Sequence, residues 1–260
     1  ERGVVVVTPP GRPDGSVDLD AIAAALRPGA RLLAVNHASN VCGTIAPLPA
    51  LASLAHAAGA IFLVDAAQTA GVLPFSLAET GADLLAFTGH KGLHGPPGTG
   101  GLLLSDGFDP ELLTPLLYGG TGSRSDSEAQ PGVLPDRFES GTPNGVGLAG
   151  LAAGIGWVRA RGLEAIRAHE VELAAALGAG LAELPGVTVQ GPREPDARTA
   201  VLSFTAAGRT VSEIGGRLDD EHGVLCRVGL HCAPLAHRTL SSFPGGSVRF
   251  APGPLTTLAE

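Results

Sequence analysis

Short apolar runs alternate with amphipathic stretches along the first half of the chain. Residues 3–7 (GVVVV), 31–35 (RLLAV), 61–65 (IFLVD) and 83–87 (DLLAF) predict buried strands, the pattern of a mainly parallel sheet covered on both faces. Between them, helical spacing predicts helices over 18–27 and 47–58. Ser16 and Asp18 are candidate caps for the first and Pro28-Gly29 its stop, while Pro47 opens the second and Gly59 follows it. Residues 92–101 and 119–145 are rich in glycine, proline, serine and threonine and are expected to be loops. A long helical segment should follow over 146–184, broken near Gly162 and at Gly178 to Gly180. Strands are expected near 186–190, 199–205, 223–229 and 247–251, with a helix near 210–222. The order of elements predicts an α/β large domain over 1–145 and a smaller α+β domain over 146–260.

Composition narrows the classes of function. At 260 residues the chain can build a sizeable core, and 44 % hydrophobic against 16 % charged residues excludes a disordered chain. A formal net charge of -8 argues against a nucleic-acid-binding face. The longest uncharged apolar stretch, 146–158, falls short of the roughly 18 to 20 residues that span a bilayer, so no membrane association is expected. Three cysteines, Cys42, Cys226 and Cys232, make no disulfide framework, and a cytoplasmic setting is the expectation. With no methionine anywhere, the chain is expected to begin inside a longer polypeptide.

Seventeen residues are basic, and only one of them, Lys91, is a lysine. Surface charge can be carried by arginine. A primary amine that must lose its proton and attack a carbonyl cannot, because a guanidinium stays protonated. Lys91 closes the run Phe87-Thr88-Gly89-His90-Lys91 at the end of a predicted strand, and the preceding predicted strand ends Val64-Asp65, followed by Gln68. Strand C-termini of a parallel sheet gather at one edge, where ligands bind. A carboxylate, an amide and an amine there suit pyridoxal 5'-phosphate (PLP). The amine forms a Schiff base, the carboxylate keeps the pyridine nitrogen protonated, the amide meets the phenolic oxygen, and Thr88 and His90 can donate to the phosphate. Asp65 has a plainer reading as a cap of the next helix.

Taken in order, VNHASNVCGT (35–44), LVDAAQ (63–68), FTGHKGLHGPPGTGG (87–101), RFESGTPN (137–144) and RVGLHCAP (227–234) resemble the class V aminotransferase family, in its cysteine desulfurase and selenocysteine lyase branch. The resemblance implies the PLP-dependent transferase fold type I, with a seven-stranded, mainly parallel sheet incompletely represented here and a smaller α+β domain. It implies Lys91 as the Schiff-base lysine, Asp65, Gln68, Thr88 and His90 as cofactor ligands, and Asn40 beside cofactor and substrate carboxylate. Thr142 would reach the phosphate of the other subunit, so a homodimer is implied. Cys232 would be the nucleophile, and with Lys91 and His90 it completes the candidate catalytic set. Arg249 and Arg227 would bind the substrate carboxylate, and a planar guanidinium such as that of Arg249 grips both of its oxygens. The family's ring-stacking histidine and glycine-threonine phosphate loop would precede residue 1, and His37 is too close to Asn40 to be that histidine. A helix would follow Glu260. Leu230 stands where better-known desulfurases carry a second histidine.

A thiolate is the attacking species at such a cysteine, and nearby Arg227 and His231 are expected to favour ionisation of Cys232. Cys42 and Cys226 read as small packed residues. A competing zinc reading of Cys226, His231, Cys232 and His237 lacks the usual ligand spacings, so no metal is expected. GPPGTGG at 95–101 imitates a nucleotide loop but has Gly101 where lysine belongs, and is expected instead to let the backbone pass close to a cofactor. The implied activity is transfer of sulfur from L-cysteine to Cys232 as a persulfide with release of L-alanine, with a sulfur-accepting protein as a further partner. Selenocysteine lysis, another class V transamination or lysis, and a cofactor-less scaffold that binds a sulfur acceptor are the alternatives.

Overall fold

A computed structural model describes residues 3–27, 29–124 and 126–260. The first half forms α1 (Leu19–Ala25), β1 (Leu32–Asn36), α2 (Leu48–Ala57), β2 (Ile61–Asp65), α3 (Leu77–Thr80), β3 (Leu84–Thr88) and β4 (Gly100–Leu104). The sheet runs β1-β2-β3-β4, with the first three strands parallel and β4 antiparallel to β3. Phe62 and Val64 of β2 are fully buried against Leu51 and Ala55 of α2, which places the core on one face. Cover is less complete than the apolar runs predict: alternate residues of β1 are exposed, as are Leu102 and Leu103 of β4.

Four further expectations are corrected. Residues 4–7 join no strand, and Val4 to Val7 lie open to solvent, because β-branched residues favour extension but need a partner for their backbone groups. The loop expected over 92–101 gives way at Gly100 to β4. Gly101 faces the Phe87 ring, where a Cβ would collide, so this glycine serves strand packing. Asp18 caps α1 by accepting from Ala21 N at 3.0 Å, whereas Ser16 bonds Asp14 instead. That helix ends at Ala25, and Pro28 lies outside the described residues.

Residues 119–144 hold neither helix nor strand among those described. Then come α4 (Gly145–Arg161), α5 (Leu163–Glu183), β5 (Val187–Gln190), β6 (Leu202–Ala206), α6 (Val211–His222), β7 (Arg227–Gly229), α7 (Pro234–Thr239) and β8 (Ser247–Phe250). The break between α4 and α5 falls at Gly162, whose φ of +85° suits glycine. No break occurs at Gly178 to Gly180, since glycine inside a helix costs only about 1 kcal/mol and the packed face of α5 outweighs it. The strand expected over 199–205 begins at Leu202 and that over 223–229 at Arg227. The second sheet runs β5-β6-β8-β7 and is antiparallel throughout.

Residues 38–46 stitch the two sheets together. Thr44 bridges Arg198, Thr199 N donates to Gly43 O at 2.9 Å, and the Ser203 hydroxyl donates to Val41 O. Asn40 lies inside this seam.

Candidate active site

Parallel pairing of β2 with β3 brings the ends of both strands to one edge. Asp65 ends β2 and Thr88 ends β3, with Lys91 three residues beyond. Asp65 Oδ1 accepts from Ala67 N at 2.8 Å, so the carboxylate caps a turn and not the helix expected after β2, and its side chain stays exposed at the edge. Thr88 Oγ1 and His90 Nδ1 are hydrogen-bonded at 2.7 Å. The turn that carries Lys91 is closed by His94 N donating to Lys91 O at 2.9 Å and by Gly95 N donating to Gly89 O at 2.8 Å.

Gln68 sits in the tight turn after β2, where Ala70 N donates to Ala66 O at 2.9 Å. Gly71, with φ of +81°, passes so close to Gly92 that a Cβ would strike its carbonyl. That approach sets the Gln68 turn against the Lys91 turn. The two side chains line, with Arg249, one cavity of about 370 Å³ whose far walls are Glu170, residues 199–201 and residues 251–254. Asp65, Thr88, His90, Asn40, Arg227, Cys232 and Thr142 do not line it. Thr142 is exposed in the segment before α4.

Around Cys232 the chain is tightly held. His231 and Cys232 have φ of +50° and +60°, consecutive left-handed residues that are not glycine. Asn40 Nδ2 donates to His231 O at 2.7 Å, and Arg249 Nη1 donates to Asn40 O at 2.7 Å. Arg227 and Arg249 face each other in the β7-β8 register. Burial, then repulsion from Arg227, lowers the Arg249 pKa, and the nearby Cys232 side chain partly offsets this. Cys232 is exposed.

One electrostatic expectation is reversed. His231 is buried, and desolvation followed by repulsion from Arg249 and His237 pushes its pKa down to about 4. The ring is neutral near pH 7 and lends no positive charge to Cys232; of the two groups expected to promote the thiolate, only Arg227 carries charge. Cys42 is buried with its Sγ 3.1 Å from Thr44 Oγ1, and Cys226 is half-buried in the core beside β8, its thiol pushed up first by burial. Both pack as the sequence predicts. Among the described residues no group of three His, Cys, Asp or Glu side chains is placed to hold a metal.

His37 packs edge-on to Phe75 at 4.9 Å and bonds Thr69 Oγ1 through Nδ1 at 2.9 Å, a core position and not a stacking platform. Two cavity or loop residues escape sequence reading. Glu170 is 4 % exposed, and burial raises its pKa to about 7 against the pull of Arg167. Its signal was an acid on the apolar stripe Ile166, Glu170, Leu173, Ala174 of α5. Ser247, which bonds His231, had no signal beyond a small polar residue in a strand.

The family model for Aminotransferase class-V matches residues 1–260. The chain belongs to that family. It is 38 % identical over 247 residues to a probable cysteine desulfurase 2 of Mycobacterium leprae, covering 92 % of this chain and 56 % of the relative. Among solved structures it superposes on an apo cysteine desulfurase of Thermococcus onnurineus with a TM-score of 0.89 at 36 % identity, covering 99 % of this chain and 63 % of that one. On the cysteine desulfurase CsdA of Escherichia coli, solved in an S-sulfonic acid form, the TM-score is 0.86 at 30 % identity, with 98 % and 62 % covered. The chain thus spans less than two thirds of each of these relatives. The family and its desulfurase members depend on PLP, and the architecture is fold type I. The donor set fits that cofactor: an amine and an amide share one cavity, and a fixed carboxylate stands at the adjoining strand end.

Proposed function

We propose that the whole protein is a PLP-dependent cysteine desulfurase. The observation that carries this reading is the joining of two clusters. Lys91, Gln68 and Arg249 surround one cavity, and Arg249 reaches the Cys232 loop through Asn40. Bound PLP supplies an electron-withdrawing ring on which a bond to the substrate Cα can be broken. Lys91 would hold the cofactor and carry the substrate Cα proton, Asp65 would keep the pyridine nitrogen protonated, and Gln68 would meet the phenolic oxygen. Thr88 and His90 would hold the phosphate. Arg249, with Arg227 and Asn40 beside it, orients the substrate carboxylate. The Cys232 thiolate attacks the substrate sulfur, so that a sulfur–sulfur bond forms as the carbon–sulfur bond breaks. The carbon takes the electron pair and a proton and leaves as alanine, and the sulfur stays on Cys232 as a persulfide.

Residues 1–145 are read as the cofactor-binding part and 146–260 as the smaller part that carries the nucleophile. A homodimer is part of the proposal, with Thr142 meeting the second copy's phosphate. Exposed Leu116, Leu117, Tyr118 and Val146 on either side of it support an interface there. Protein acceptance of the persulfide sulfur and a reducing cytoplasmic setting follow from the same reading.

The test is to incubate the full-length enzyme with L-cysteine and quantify alanine, sulfide and the mass of the Cys232 peptide together. Lys91→Ala should lose the yellow absorbance of bound cofactor. Cys232→Ala should keep the colour and release no sulfide. Keto acid in place of alanine would identify a transaminase, and turnover of selenocysteine alone would identify a lyase.

A further inference from the structure

Consecutive left-handed residues without glycine persist only where their surroundings over-determine them. At His231 and Cys232 the surroundings do so from three sides. His231 Nε2 lies 3.0 Å from the Ser247 hydroxyl, and both residues are buried. Its carbonyl takes the Asn40 amide at 2.7 Å, and Ala233 N donates to Leu230 O at 2.8 Å to close the turn. Its ring packs at 5.4 Å, tilted by 44°, against His237, itself fixed by Ser242 at 2.8 Å. Ser247 stands two residues before Arg249 on β8, and Arg249 donates to Asn40 O. Asn40, His231, Ser247 and Arg249 therefore form a closed ring.

We propose that His231 is a positioning residue for Cys232: hooked to Ser247 and Asn40, it fixes the nucleophile relative to the guanidinium that holds the substrate carboxylate. The inference rests on the reading of Cys232 as nucleophile and Arg249 as carboxylate ligand. The role is geometric. The groups facing the ring are Arg249, Arg227 and His237, all of which disfavour a second positive charge there. A neutral imidazole can hold the Ser247 hydroxyl in either direction, as donor or acceptor, and its bulk fills the space under the loop. Without it the bend at Cys232 loses two of these restraints, the Ser247 bond and the packing on His237. The thiolate then samples positions away from the substrate sulfur, and misplacement of about 1 Å can cost up to about a hundredfold in rate.

The experiment uses the full-length holoenzyme and compares Ser247→Ala, His231→Ala and His231→Gln, the last placing an amide near the Nε2 position. The proposal expects Ser247→Ala and His231→Ala to lower kcat for sulfide release about tenfold or more. The L-cysteine half-saturation and the cofactor absorbance should stay within about twofold. The rate at which iodoacetamide alkylates Cys232 should change severalfold, and His231→Gln should recover most of kcat. Unchanged kcat and alkylation in Ser247→Ala, which removes only a hydroxyl and keeps the backbone, would overturn the proposal even if the His231 variants fail to fold. So would an effect confined to half-saturation, or a glutamine variant no better than alanine. Cys232→Ala run in parallel separates the failures. Sulfide release from that variant defeats the nucleophile reading, whereas its loss, combined with indifference to Ser247→Ala, defeats the positioning role alone.

Discussion

Glu170 gives the sharpest link between structure and a measurable pH dependence. It faces the cavity from α5 between Ile166 and Leu173, 4 % exposed, with Arg167 on its own helix and Arg249 and Lys91 across the cavity. Desolvation raises its pKa from 4.5 to about 7, and the Arg167 charge and the Ala200 N–H only partly offset this. Between pH 4.5 and 7 the folded state therefore binds more protons than the unfolded state, and stability falls as pH rises through that window. The shift corresponds to about 3 kcal/mol in all, present below pH 4.5 and lost above 7. Glu170→Gln removes the titration and keeps the shape. Urea unfolding of wild type and variant at pH 4.5, 5.5, 6.5 and 8 should show the variant gaining on wild type by about 1.4 kcal/mol per pH unit across the window. The subtraction is essential, because burial lowers the pKa of His37 and His231 to about 4. Those two contribute stability present above 6.5 and lost as pH falls towards 4, slopes of opposite sign that together outweigh the Glu170 slope below 6.5, so the wild-type profile alone would hide it. A stability difference that stays constant from pH 4.5 to 8, or that shrinks with rising pH, would refute the reasoning.

The other predictions concern the cavity, the core of the first sheet and one helix cap. Gly71→Ala, at φ +81° and against the Gly92 carbonyl, should destabilise by about 1 to 3 kcal/mol in urea unfolding and speed loss of cofactor colour on dilution. Arg249→Lys gives up the planar fork that bonds Asn40 O; under the proposed role of Arg249 as carboxylate ligand, the L-cysteine half-saturation should rise about tenfold or more in steady-state assays. Phe62→Ala, at a fully buried site in the core between β2 and α2, should cost about 3 to 5 kcal/mol by the shift in urea midpoint. Thr210→Ala breaks the capping box with Glu213 and should cost about 1 kcal/mol without touching catalysis, a control for global loss of stability.

What the sequence discloses follows from how local each determinant is. The strands β1, β2 and β3 are legible because a continuous apolar run bounded by polar residues has few other ways to bury itself. The run at Val4 to Val7 has the same composition and fails, since pairing is a property of two segments and the composition of one carries no record of the other. β4 is hidden by the converse effect. Its opening glycines read as loop, yet they are the residues that allow the strand to lie against Phe87. Lys91 stands out for a chemical reason, being the single lysine in a chain that otherwise uses arginine, and the fold places it on the wall of the cavity.

The joins inside the candidate site are a different matter. Asn40 meets His231 across 191 residues and Arg249 across 209, and neither spacing holds any periodicity from which the contact can be read. The same distance in sequence explains why His231 reads as a cation beside a thiol while the fold makes it neutral. Proximity to Cys232 is written in the chain, but the desolvation that outweighs it comes from β8 and α7 closing over the ring. A residue's identity and its neighbours along the chain set what chemistry it can perform. Burial by distant elements decides which protonation state performs it, and here that converts an expected charge partner into a strut.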